Sequence, residues 1–445
     1  MRTNYLNKLF LAAAGLLIAA APLQAKQIDL RAELGTPVIE AGAKRTAFLK
    51  VSLTGFELQG ERDRIPANIA IVLDQSGSMR GEKLQRAKEA AIMALDLLDE
   101  RDIVSVISYD TTVRVLVPAT RVSNKSAIRS AIRQMRADGS TALFAGVSKG
   151  AREVRKFMDR ERVNRVILLS DGQANVGPKS PTELGELGMS LGKEGISVTT
   201  IGLGAGYNED LMANLAGYSD GNHAFVDNAE DLARIFRYEF GDVLSVVAQD
   251  LIIRIELLDG VRPLRLLGRE SEIIGSTVTT RLNQLYSDQE KYVILEVEVP
   301  EGLEGEQRQL ADVRVSYRNM ANQQSEKLDD RVSIAYSASQ QEVAQARAPS
   351  VLSTATQQVA NEASKKALEL RDQGRKEEAR KVLKESASYV RQQADLIGGD
   401  EGVSLESFSD EVEQEAEAVV ESKDWNRARK AIKAKQYKLE KQQTY

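Results

Sequence analysis

Four compact runs of β-branched and apolar residues, at 69–73, 103–109, 166–169 and 198–203, alternate with stretches of helical apolar spacing. This alternation constrains the chain more than any other feature. A half-buried strand shows polar residues at every second position, whereas a run apolar along its length must be covered on both faces, as in a parallel sheet with helices on either side. Residues 82–99 supply one such helix, with Leu84, Ala87, Ala91, Leu95 and Leu98 on a common face. The segment 112–117 follows the run ending at Tyr109 too closely for a crossover helix, and so predicts a hairpin and an antiparallel edge. The expected fold class for 66–247 is therefore α/β, a doubly wound, mostly parallel sheet.

The flanks have a different period. Ile28, Leu30, Ala32 and Leu34, then Ala47, Leu49, Val51 and Leu53, alternate as half-buried strands do. The same texture returns in Leu251, Ile253, Ile255 and Leu257, in Val293, Leu295, Val297 and Val299, and in Val313, Val315 and Tyr317. Residues 26–65 are too few to fold alone, so they are expected to complete an antiparallel β-sandwich with 248–340, the α/β domain being inserted between. From 341 to 445 the spacing is helical, with Ala367, Leu370, Ala379, Val382, Leu383 and Ala387 on a hairpin that Gly374 breaks. The stretch 367–379 is similar to part of a tetratricopeptide repeat, but a single copy supports only a helical hairpin. Residues 398–404 read as a loop, and the basic helix 426–441 as a partner for the Glu-rich helix before it.

At the N-terminus, Arg2 and Lys8 precede an apolar run over 9–21, and Ala25 offers a cleavage point before Lys26. Residues 1–25 thus read as an export signal. The run is short of the roughly 20 residues a spanning helix needs, and no later stretch reaches 18, so no stable transmembrane segment is expected in the mature chain. The expected location is the periplasm, with release or the cell surface as alternatives.

Composition removes several chemistries. With no cysteine there are no disulfides, thiolate metal sites or Cys nucleophile, and the single histidine, His223, rules out a His-rich zinc site. A net charge of −5 gives no reason to expect nucleic acid as a partner.

What remains informative is Asp74-Gln75-Ser76-Gly77-Ser78, placed directly after the first buried run and just before a helix. In an open α/β sheet that junction is the crevice where ligands bind. Asp-x-Ser-x-Ser lets one carboxylate and two hydroxyls turn to one point, with Gly77 permitting the bend, and hard oxygen donors suit a small hard cation such as Mg²⁺. Two further loops lie on the same rim, Ser170-Asp171-Gly172 after the run at 166–169 and Gly139-Ser140-Thr141 before a helix.

Together these segments resemble the von Willebrand factor type A domain and its metal-ion-dependent adhesion site. The resemblance covers about 180 residues. It implies that Asp74, Ser76, Ser78, Thr141 and Asp171 hold Mg²⁺, or Mn²⁺ or Ca²⁺ in its place, and that one metal position stays open for an Asp or Glu of a partner protein. The implied function is non-enzymatic adhesion or scaffolding. The plainer alternative is that Asp74 and the serines cap the following helix.

Two rivals accompany this reading. Gly146-Val147-Ser148-Lys149-Gly150 has the form of a hydrolase nucleophile elbow, with Ser148, Asp171 and His223 in hydrolase order. An elbow needs a strand before its serine, and 142–158 reads as one helix. The other rival is an assembly protein that works through its C-terminal helices and keeps only a vestigial metal site. Neither an aspartyl-phosphatase start nor a dinucleotide loop fits, because Ser76 stands where a second carboxylate is needed and Tyr207 where a third glycine is.

Overall fold

The computed structural model describes residues 27–60, 64–421 and 423–443; the export segment expected at 1–25 lies outside the described residues. Three strands open the chain, β1 (Asp29–Leu34), β2 (Val38–Glu40) and β3 (Arg45–Thr54). Next come β4 (Ala67–Asp74), α1 (Glu82–Asp96), β5 (Ile103–Tyr109), β6 (Val113–Arg121), α2 (Lys125–Arg133) and α3 (Leu143–Arg155). They lead into β7 (Val163–Ser170), α4 (Pro181–Lys193), β8 (Ser197–Leu203), α5 (Glu209–Tyr218), β9 (His223–Val226) and α6 (Leu232–Leu244). The strands β10 (Val246–Leu257), β11 (Arg262–Leu267), β12 (Glu272–Ile274), β13 (Thr277–Tyr286), β14 (Glu290–Val299), β15 (Gln307–Asn319) and β16 (Ser325–Ser337) follow. Five helices close the described chain: α7 (Gln340–Gln345), α8 (Pro349–Asp372), α9 (Lys376–Ile397), α10 (Gly399–Glu421) and α11 (Trp425–Lys441).

The central sheet has the order β6-β5-β4-β7-β8-β9, parallel except for β6, which pairs antiparallel with β5 as the short connection after Tyr109 requires. Every residue of β4 is buried. Ile69, Ile71 and Leu73 pack with Leu84, Ala87 and Leu95 of α1 and Phe236 and Phe240 of α6, while Ala70 and Val72 face Val147 and Ala151 of α3 and Leu184 of α4. The loops leaving β4 and β7 consequently run to opposite faces, and a crevice opens between these adjacent strand ends.

The flanking strands form two sheets, β1-β3-β14-β11 and β12-β13-β10-β15-β16-β2, all antiparallel apart from the β16–β2 pair. Their facing apolar residues, among them Leu49, Val51, Ile253, Leu295 and Val313, make one core. The inserted domain leaves one sheet after β3 and returns to the other at β10. Among the described residues no helix is long and apolar enough to cross a membrane.

The helical region departs from the sequence reading in two places. Residues 399–404 are the first turns of α10, because Gly398 and Gly399 both adopt positive φ and turn the chain within two residues. The helix α11 does reach α10, through Lys435 and Glu411 and Glu415, but its other side lies on the parallel-sheet domain. There Arg429 donates to Glu209 and to Asp210 (2.7 Å), Lys430 donates to Glu209 (2.8 Å), and the Tyr437 hydroxyl donates to the Gly221 carbonyl (2.6 Å), while Arg429 also donates to Asp372 (2.7 Å) at the end of α8.

The sandwich grips the sheet at the end opposite the crevice. Arg165 of β7 is wholly buried, and its guanidinium donates to Tyr286 (2.8 Å) and Gln284 of β13 and to Thr199 (3.3 Å), with Glu239 at 3.7 Å. Such a network is costly unless each member is satisfied. Burial pushes the Glu239 carboxyl up to about 8, against the pull of Arg165. An acid whose folded pKa is raised holds its proton more tightly folded than unfolded, so its contribution to stability falls as pH climbs from the ordinary carboxylate range to about 8. In denaturant titrations, the stability of a Glu239→Gln variant relative to the wild type should therefore improve as pH rises from about 5 to about 8. A difference that stays flat across that window contradicts this account.

Candidate metal centre

Asp74 is the last residue of β4, and burial leaves its carboxylate dependent on local donors. Its Oδ1 accepts the Ser76 backbone N–H at 2.8 Å, and its Oδ2 accepts the Ser170 hydroxyl, from the end of the neighbouring strand β7, at 2.7 Å. The Tyr109 hydroxyl stands 3.5 Å from the same Oδ2 and donates to the Leu169 carbonyl at 3.1 Å. Burial pushes the Asp74 carboxyl up to about 6, although these hydrogen bonds oppose the shift.

From Asp74 the site continues through hydroxyls. Ser76 Oγ and Ser78 Oγ are 3.0 Å apart, and Ser78 Oγ donates to Asp171 Oδ1 at 2.6 Å. Asp171 follows β7 directly and is almost fully buried. Thr141 comes in beside Gly172: a Cβ there would lie 3.2 Å from Thr141 Oγ1 and 3.4 Å from Ser78 Oγ, so the missing side chain is what lets the two hydroxyls share that space. Asp74, Ser76, Ser78 and Asp171 thus form one connected string, and Thr141 abuts it.

Backbone bonds hold the three loops in this arrangement. The Gly77 N–H donates to the Gly139 carbonyl (3.0 Å) and the Asp138 N–H to the Gln75 carbonyl (2.8 Å), zipping the first loop to the second. Asn175 joins the second to the third, its Oδ1 accepting the Thr141 N–H at 2.8 Å and its own N–H donating to the Thr141 carbonyl at 3.2 Å. Gly77 has no positive φ, and a Cβ there would make only an ordinary contact with the Gly139 oxygen at 3.4 Å, so the bend does not depend on glycine at this position; the positive-φ glycines nearby are Gly81 and Gly139. The capping alternative fails locally. Ser76 makes no side-chain cap bond and the N-cap of α1 is Gly81.

Sequence reasoning assigned no role to Ser170, Asn175, Tyr109 or Lys83. Lys83 pairs with Asp171 Oδ2. A weak signal for it was present, because it is the second residue of α1, where the helix dipole disfavours a cation.

The oxygen-only donor set, two carboxylates and three hydroxyls, fits a hard divalent ion and offers nothing to a soft one. Among the described residues no group of three His, Cys, Asp or Glu side chains could hold a metal unaided, so an ion here has to draw on the hydroxyls.

The hydrolase arrangement does not form. Ser148 lies within α3, Asp171 is engaged by Ser78 and Lys83, and His223 Nδ1 is 2.9 Å from the Thr200 hydroxyl. Burial lowers the His223 pKa to about 4. The glycines of the elbow-like pentapeptide have a packing role instead: a Cβ on Gly146 would meet the Tyr109 ring at 2.9 Å, and one on Gly150 would meet Val72 Cγ2 at 2.7 Å. Thermal unfolding should show Gly150→Val destabilised by about 1–3 kcal/mol through overpacking. Ser148→Ala should stay within about 0.5 kcal/mol of the wild type. Equal losses in the two variants would contradict the packing argument.

Comparison with known proteins bears on the domain and its fold. Residues 68–237 match the model of the von Willebrand factor type A domain. The protein sll0103 of Synechocystis is 29% identical over 315 residues, covering 68% of this chain and 74% of that protein. YfbK of Escherichia coli is 28% identical over 216 residues, and the match spans 48% of this chain but only 37% of YfbK. Among solved structures, a von Willebrand factor type A protein from Catenulispora acidiphila superposes with a TM-score of 0.66 at 16% identity, over 89% of this chain and 91% of that one. That likeness extends over the sandwich and helices and concerns the fold alone. The chain thus carries a von Willebrand factor type A domain, its mostly parallel sheet accompanied by antiparallel sheets and a C-terminal helical region.

Proposed function

We propose that this chain is an exported, non-enzymatic binding protein that engages an acidic side chain of a partner protein through a divalent ion. The residues that would hold the ion are Asp74, Ser76, Ser78, Thr141 and Asp171; Mg²⁺ suits them, and Mn²⁺ or Ca²⁺ could serve by the same chemistry. Bound there, the ion would supply positive charge to a rim that contains two buried carboxylates. Hydroxyl ligands neutralise a cation only in part, so an incoming Glu or Asp gains a strong charge-assisted contact.

The observation that carries this reading is the continuous string Asp74–Ser76–Ser78–Asp171, drawn from two loops at the crevice between β4 and β7, with Thr141 of a third loop against it. Type A domains generally mediate contacts between proteins, which supports a partner of that class. The rival role for the C-terminal helices is less favoured, because Arg429 and Lys430 of α11 are engaged on Glu209, Asp210 and Asp372 within the chain.

The test is affinity capture with wild type and Asp74→Ala, each with and without EDTA, read by mass spectrometry. A partner should be retained by the metal-loaded wild type and lost on chelation and in the variant; capture indifferent to both would reject the proposal. Export is tested separately. Protein recovered from the periplasmic fraction should begin at Lys26, and a chain found solely in the cytoplasm with residue 1 intact would contradict it.

A further inference from the structure

Lys83 is the cation that Asp171 pairs with, and its placement is unusual in three respects. It occupies the second position of α1, where the exposed N–H groups of the first turn repel positive charge. It joins a buried carboxylate to a side chain that keeps 39% of its surface exposed, so one partner is fixed and the other is free to swing into water. Its amine also lies along the rim beside the β8 loop: a Cβ on Gly204 would come within 3.9 Å of Lys83 Nζ. Among the described residues, no other lysine or arginine is paired with either carboxylate of the site.

The Asp171 carboxylate divides its two oxygens between Ser78 Oγ on Oδ1 and the Lys83 ammonium on Oδ2. A divalent ion drawing on Ser78 and Asp171 would meet that ammonium at close range beside a buried carboxylate, and the two like charges would repel.

We propose that Lys83 is a built-in counter-ion of the site: it neutralises Asp171 when no metal is bound, and a divalent ion has to displace it to enter. Metal loading is then an exchange of one cation for another, and the chain sacrifices metal affinity for a site that is stable when empty. Once released, the ammonium remains on the rim next to the open metal position, where it offers an acidic partner a second charge contact. This inference rests on the metal reading given above.

The experiment is calorimetric titration of Mn²⁺ into the chelator-treated full chain, comparing wild type with Lys83→Met, Lys83→Arg and Asp74→Ala. Thermal unfolding of each variant with and without Mn²⁺ runs alongside. Lys83→Met should bind Mn²⁺ about tenfold or more tightly than wild type, since the competing charge is gone. Lys83→Arg should stay near wild type, and Asp74→Ala should not bind. Without metal, Lys83→Met should melt below wild type because Asp171 has lost its counter-ion, and Mn²⁺ should raise its melting temperature by more than it raises that of wild type. If Lys83→Met does not fold well enough to titrate, Lys83→Gln, which keeps a hydrogen-bond donor, takes its place. Wild-type binding that is unchanged or weakened in Lys83→Met and Lys83→Gln overturns the counter-ion role and leaves the metal reading standing. No binding by any protein overturns both.

Discussion

A carboxylate that ends a strand buried on both faces cannot be hydrated, so the residues around it have to be donors. Asp74 imposes that condition, and the rim is organised by the way it is met. Ser170 reaches it from the adjacent strand and the Ser76 N–H folds back onto it, which fixes the first loop against the third. Asp171, buried nearly as deeply, makes the same demand and is answered by Ser78 and Lys83. The hydroxyls lie where they do because two acids at neighbouring strand ends both need hydrogen bonds. The pocket that results is rich in oxygen and poor in positive charge, and that imbalance is what the proposed divalent ion would answer.

The remainder of the molecule keeps this rim in place from two directions. Below it, the Arg165 network ties β7 to β13 of the sandwich at the far end of the sheet. Beside it, α11 braces the loop after β8: Asn426 donates to the Ala205 carbonyl at 2.7 Å and the Lys430 ammonium lies 5.2 Å above the Tyr207 ring. That loop presses on Asp171 in turn, since a Cβ on Gly206 would fall 2.7 Å from the Asp171 carbonyl oxygen. The C-terminal helix and the rim are therefore in mechanical contact through three successive residues, 205 to 207.

Much of the fold was legible in the sequence because its signals were periodic. The buried runs around Ile71, Val106, Leu168 and Ile201 could only be central strands, and the period-two segments on either side could only be half-covered ones. The carboxylates and hydroxyls of the site were legible for a different reason, since Asp-x-Ser-x-Ser at a strand end is a local pattern. What could not be read was non-local. Ser170 and Asn175 gain their roles from strand and loop neighbours that only the assembled sheet supplies, and Arg165 looks like a surface residue until β13 is placed over it. The turn at Gly398 and Gly399 was missed because a pair of glycines signals an irregular loop as readily as a two-residue reversal. The surface of α11 that binds Glu209 was hidden because its lysines and arginines are spread along the helix, a pattern that suits a solvated face equally well.

The sandwich is interrupted between β3 and β10, and β3 pairs along its length with β14, more than two hundred residues later in sequence. The shared core of the sandwich cannot close until the intervening chain has compacted enough to bring β3 and β14 within reach, because the entropy of closing so long a loop opposes their meeting. The type A domain, whose strands are nearer to one another in sequence, has no such obstacle. Assembly of this molecule is thereby biased to proceed outward from the parallel sheet, with the strands that come first in the chain among the last to find their partners.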